Sequence, residues 1–161
     1  MLSLFSKISI WISVISWGFW LGAMVYEFVV IVPLWSSSMP SSIIEWNARP
    51  GYVVDPTRFF APVAILTVIS SVLAGSFSFR NTDLRLPTLT SAAVAIITLA
   101  FTAVYFFPKN EIIYKNNFGS LDGDAITALG RAWIIGCLIR VAIMIIGYGG
   151  SLLALHRSGS A

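Results

Sequence analysis

Four apolar stretches, at 8–34, 59–77, 86–107 and 132–155, constrain this chain more than any other feature. Each is at least as long as the shortest helix, roughly 17 residues in a usual range of about 17 to 25, that can cross a hydrocarbon layer. Inside lipid a backbone must satisfy its own polar groups, which a helix does within one segment. The chain therefore reads as an all-α integral membrane protein, a four-helix transmembrane bundle with up-down-up-down topology. Residues 1–161 form one domain, with no repeat or low-complexity segment between the connections 35–58, 78–85 and 108–131. Lys7, Gly22 and Ala23 give the first stretch some look of a cleaved signal. Its apolar run far exceeds the roughly 7 to 15 residues of a signal core, so it is expected to stay as a helix.

Composition supports the same class: 57% of residues are apolar and 11% charged, against about 25% charged in an ordinary soluble domain. The basic residues are scattered over the ends and connections, so no patch is offered to nucleic acid. A single Cys and a single His, Cys137 and His156, cannot make an internal disulfide and are too few for a metal centre, and no cofactor motif is present. Cys137 reads as a packing residue, His156 as interfacial, and Asp122-Gly123-Asp124 as a turn rather than a calcium loop.

Orientation depends on which side holds Lys and Arg. Lys7, Arg80, Arg85 and Arg157 lie on the side of the termini, and Arg49, Arg58, Lys109, Lys115 and Arg131 on the other, so the bases nearly balance. The other side also carries most of the acids, Asp55 among them. The Arg80/Arg85 hairpin, with only Asp83 beside it, places both termini in the cytoplasm.

Apolar burial does little to hold helices together in lipid, so small and hydroxyl residues are expected to face inward. Spacing of three and four brings together Ser9, Ser13, Ser16, Trp20, Ala23 and Glu27 on the first helix, and Phe60, Ala64, Thr67, Ser71 and Ala74 on the second. The third helix gives Ser91, Ala95, Thr98, Thr102 and Tyr105; the fourth gives Trp133, Gly136 or Cys137, Arg140, Met144, Gly147 and Ser151. Gly18 and Gly22 form a small-xxx-small pair. These stripes read first as a packing seam.

Two positions break that reading. Of ten Lys and Arg and seven Asp and Glu, only Glu27 and Arg140 fall within apolar stretches, where a charge costs at least about 2.5 to 3.5 kcal/mol. At about 1.5 Å per residue, Glu27 lies roughly 10 Å inside one end of its helix and Arg140 roughly 13 Å inside the matching end of the fourth. Arg140 is too deep for its head to reach water easily. A buried Glu27–Arg140 ion pair is expected, serving either to set helix register or to line a polar cavity. In the second case Glu27 exchanges a proton and Arg140 holds an anionic oxygen. Trp20, Trp133 and Tyr105 then wall the site, with Thr98 and Thr102 offering hydroxyls. Pro108 is expected to stop the third helix, with Asn110 capping the freed carbonyls or meeting a ligand at the mouth.

The run Trp17-Gly18 to Val32-Pro33-Leu34-Trp35, the third helix ending Thr102-Ala103-Val104-Tyr105-Phe106-Phe107-Pro108-Lys109-Asn110, and Leu129-Gly130-Arg131-Ala132-Trp133 followed by Arg140 resemble the anthrone-oxygenase-like family. The resemblance implies a small four-helix membrane protein. For the fungal members it implies oxygenation of anthrone-type polyketides without an obvious metal or flavin. The matching positions are Asn110, Arg131, Trp133 and Arg140; Gly136 and Cys137 stand where the family commonly has Asn.

The chain thus admits two function classes. One is a binder, or a cofactor-independent oxygenase, for a small aromatic or phenolic molecule that comes from the bilayer. The other is a non-catalytic accessory or structural subunit of a homo-oligomer or larger membrane complex, its charged pair only setting register. A proton-coupled carrier fits less well, because no broken helix or inverted repeat is visible.

Overall fold

The computed structural model describes residues 3–48, 56–115 and 117–159, apart from the side chains of 47 and 56–58. Arg49, Asp55 and the Arg58 side chain, which bear on orientation, lie outside that description. Among the described residues the chain is helical, with no strand. Four long helices, α1 (Leu4–Ser36), α3 (Pro56–Ser78), α4 (Thr82–Ile113) and α5 (Gly123–Gly159), are apolar enough to cross a membrane. A short α2 (Ser41–Ala48) lies in the first connection, where the sequence pattern alone predicts no helix.

The helices begin where polar side chains replace missing backbone partners. Ser3 Oγ accepts the Ser6 N–H at α1, Asn81 Oδ1 accepts from Asp83 and Leu84 at α4, and Asp122 Oδ1 accepts the Ala125 N–H at α5. The last cap lets α5 start at Gly123, well before the apolar stretch begins at 132.

Pro108 does not stop its helix. The backbone widens into a π-turn at Thr102–Phe106 and continues through Pro108 to Ile113. A proline ring clashes with the carbonyl four residues back and brings no N–H. The wider turn moves the preceding bond to a five-residue step, Phe107 N–H to Thr102 O, and the chain passes on. α1 does the same at Glu27–Ile31, where Val32 N–H bonds Glu27 O just before Pro33.

The long helices pack in a closed cycle, α1 on α3, α3 on α4, α4 on α5 and α5 on α1, with consecutive members antiparallel. The expected inward stripes are buried: Ser9, Ser13, Ser16, Ala64, Thr67, Ser71, Ser91, Ala95, Thr98, Met144 and Ser151 all lie inside. Outward positions such as Phe19, Ile96 and Ile146 expose large apolar side chains, suited to lipid. Four hydroxyls, one from each long helix, close a ring: Ser13 to Ser71 at 2.9 Å, Ser71 to Ser91 at 3.3 Å, Ser91 to Ser151 at 2.7 Å and Ser151 to Ser13 at 2.8 Å. Trp17 Nε1 donates to Ser91 at 2.9 Å.

The Gly18/Gly22 pair is not a packing face. A Cβ at Gly22 meets nothing within 4 Å, and one at Gly18 reaches only the Tyr148 ring and hydroxyl. Close approach is made on α5 instead, where a Cβ at Gly150 would sit 2.8 Å from the Pro87 carbonyl oxygen of α4.

Candidate intramembrane site

The four helices extend unequally beyond the serine ring. At about 1.5 Å per residue, α3 reaches roughly 22 Å from Ser71 to its start at Pro56, whereas α1 and α4 reach roughly 33 Å and α5 roughly 42 Å. Beyond the ring a cavity of about 550 Å³ lies among all four long helices, within the usual size range of small-molecule sites.

Trp20, Met24 and Glu27 of α1, Phe60 and Ala64 of α3, Leu99 and Thr102 of α4, and Trp133 and Arg140 of α5 line it. By helical rise Glu27 stands roughly 21 Å beyond the ring and Arg140 roughly 16 Å, so the two occupy neighbouring levels on adjacent helices. Both are buried, at 8% and 5% exposure.

The expected ion pair is not formed, since no Glu27 oxygen lies within 4.0 Å of an Arg140 nitrogen. Each group is held by others. Glu27 Oε1 accepts the Tyr114 hydroxyl at 3.0 Å. The Arg140 guanidinium carbon lies 3.8 Å from the centre of the Phe106 ring, and its Nη2 contacts Cys137 Sγ at 3.9 Å. Its buried Nε has no hydrogen-bond partner. Helix alignment is provided by the serine ring, by Tyr105 OH donating to Ala132 O at 2.7 Å, and by Trp133 Nε1 donating to Asn110 Oδ1 at 2.8 Å.

Asn110 therefore does not cap α4, which continues past it; its side chain lines the cavity and fixes the Trp133 indole. Trp20 forms a wall, stacked on Trp17 with ring centres 5.6 Å apart, and Thr102 lines the cavity while its hydroxyl bonds Thr98 O. Three expected members stand elsewhere. Thr98 is buried with its hydroxyl on Val94 O and does not line the cavity. Tyr105 is packed against Gly136, stacked on Phe101 and capped by Lys109 Nζ at 3.5 Å from its ring centre. Arg131 is exposed on α5, away from the lining.

Tyr114 and Met24 join the site without having been expected there. Met24 precedes Glu27 by three residues and is legible from the same stripe. Tyr114 comes after the supposed stop at Pro108, so it reads as a loop residue until α4 is seen to run on. At the outer mouth Glu111 and Lys115 form an exposed ion pair at 2.7 Å, a contact of small energetic weight. Among the described residues, no three His, Cys, Asp or Glu side chains come together as metal ligands.

No protein-family model, curated protein or solved structure matches the chain.

Proposed function

We propose that the cavity binds a small aromatic molecule carrying a phenolic or enolic hydroxyl and an acceptor oxygen. The observation that carries this reading is a buried carboxylate and a buried guanidinium that line one largely apolar cavity without pairing with each other. Charges taken out of water are expensive unless they are paired or hydrogen-bonded. A ligand hydroxyl on Glu27 and a ligand oxygen on Arg140 supply the missing partners, and Trp20, Phe60 and Trp133 supply ring contacts.

The family resemblance carries the proposal one step further, to oxygenation. Glu27 takes a proton from an activated ring CH₂, and Arg140 holds the resulting enolate oxygen by charge-assisted hydrogen bonds. The carbanion carbon then adds to O₂. The O–O bond breaks as the second C–H proton leaves, so CH₂ and O₂ become C=O and water, with O₂ as the oxidant. The reading also keeps both termini in the cytoplasm, so that the mouth at Glu111 and Lys115 opens on the opposite side.

The test uses 1,8-dihydroxyanthraquinone, a stable phenol with carbonyls beside its hydroxyls, titrated into the protein in nanodiscs while tryptophan emission is followed. Saturable quenching is expected. Arg140→Met and Glu27→Gln should each weaken it by about tenfold or more, the scale of losing a hydrogen bond to a charged group. Unchanged quenching in both variants would overturn the proposal. Absence of any binding, with the protein recovered only beside a larger partner, would favour the accessory-subunit reading.

A further inference from the structure

The cavity has two differently built openings. Towards the helix ends it meets the exposed Glu111–Lys115 pair, with Asn110 and Tyr114 just inside. Towards the side it is bounded by Ala61 and Ile65 on α3 and by Leu99 and Phe107 on α4. Ile65 is 52% exposed and Phe107 48% exposed, yet both also line the cavity. A residue that faces the cavity and the apolar outer surface together marks a gap in the wall.

Between the serine ring and the terminal side, α3 and α4 are closely apposed: a Cβ at Gly75 would lie 3.4 Å from Leu89 and 3.7 Å from the Thr88 carbonyl oxygen. Beyond Thr102 the continuation of α4 packs on α5. Ile65 and Phe107 thus stand at an opening of the cavity between α3 and α4, on the apolar outer face.

We infer that the ligand is an amphiphile: its aromatic head sits between Glu27 and Arg140, and a long apolar tail leaves sideways between α3 and α4 into the bilayer. The inference rests on the head-binding reading above and adds the tail and its route. A cavity of about 550 Å³ has room for a ring system, and the opening at Ile65 and Phe107 lets a chain continue outward. A tail that stays in lipid gives up no apolar contact when the head binds, so tail length becomes nearly neutral.

The experiment compares 4-ethylphenol with 4-dodecylphenol in nanodiscs, each concentration being referred to the lipid phase. Wild-type protein should bind the two with dissociation constants within about threefold of each other. Ile65→Trp fills the gap, and overpacking of this kind should raise the dodecyl-to-ethyl ratio about tenfold. Ile65→Ala leaves the gap open and should keep the wild-type ratio, which separates a blocked route from a misfolded protein. Binding of 4-ethylphenol with exclusion of 4-dodecylphenol from wild-type protein overturns the tail and route alone. So does a dodecyl-to-ethyl ratio that Ile65→Trp leaves unchanged. Binding of neither phenol overturns the head-binding reading and this inference together.

Discussion

At the residue scale the protein turns on how few polar groups it buries and what each one touches. Glu27 is tied to Tyr114, and Arg140 rests on Phe106 and Cys137, so neither satisfies the other. Their depth was legible from the sequence because a charge in an apolar run stands out. Their separation was not, because it depends on Phe106 of α4 and on Tyr114 just past its end, both far from Glu27 and Arg140 in the chain. Tyr114→Phe removes one hydrogen bond to the carboxylate, on the scale of about 1.5 to 3 kcal/mol, and should weaken dihydroxyanthraquinone binding by about tenfold or more in the same quenching titration. Gly150 is a different case. Its missing side chain lets α5 approach the Pro87 carbonyl, and Gly150→Val should destabilise the bundle by about 1 to 3 kcal/mol, measured by reversible unfolding in mixed micelles.

At the element scale the two π-turns matter most. Each precedes a proline, Pro33 or Pro108, and each contributes to the cavity, through Glu27 or Thr102. Turns of this kind are often found at functional sites, and the extra residue rotates the next stretch of helix relative to regular α geometry. That rotation explains why the stripe on α4 failed at Tyr105: a spacing of three and four carried from Ser91 to Thr102 no longer applies once an extra residue enters the turn. Tyr105 swings towards Gly136, while Asn110 and Tyr114 come round to the cavity. Pro108→Ala removes the steric reason for the wide turn. It is expected to let α4 revert towards regular α geometry, releasing Trp133 from Asn110 and lowering binding of the anthraquinone by about tenfold. A shifted Trp133 emission, identified by comparison with a Trp133→Phe background, is the accompanying readout; unaltered emission and binding would count against this role for the turn.

At the scale of the whole molecule, a serine ring joins all four helices at one level, and a largely apolar cavity holding two buried charged groups opens above it. Hydroxyl contacts between helices in lipid average about 0.6 kcal/mol each. Ser13→Ala with Ser151→Ala should therefore cost about 1 to 2 kcal/mol in micellar unfolding and leave ligand binding within about twofold, since the ring is roughly 16 Å or more from the charged residues. The sequence by itself determined four spans, their antiparallel order, the inward stripes and the two isolated charges, because each stems from a local period or from the cost of polarity in lipid. Only the tertiary structure decided that the charges face a cavity rather than each other, that Tyr114 and Asn110 belong to it, and that it opens between α3 and α4. Those features arise from the phase change at each π-turn and from contacts between residues far apart in the chain, neither of which a local pattern encodes.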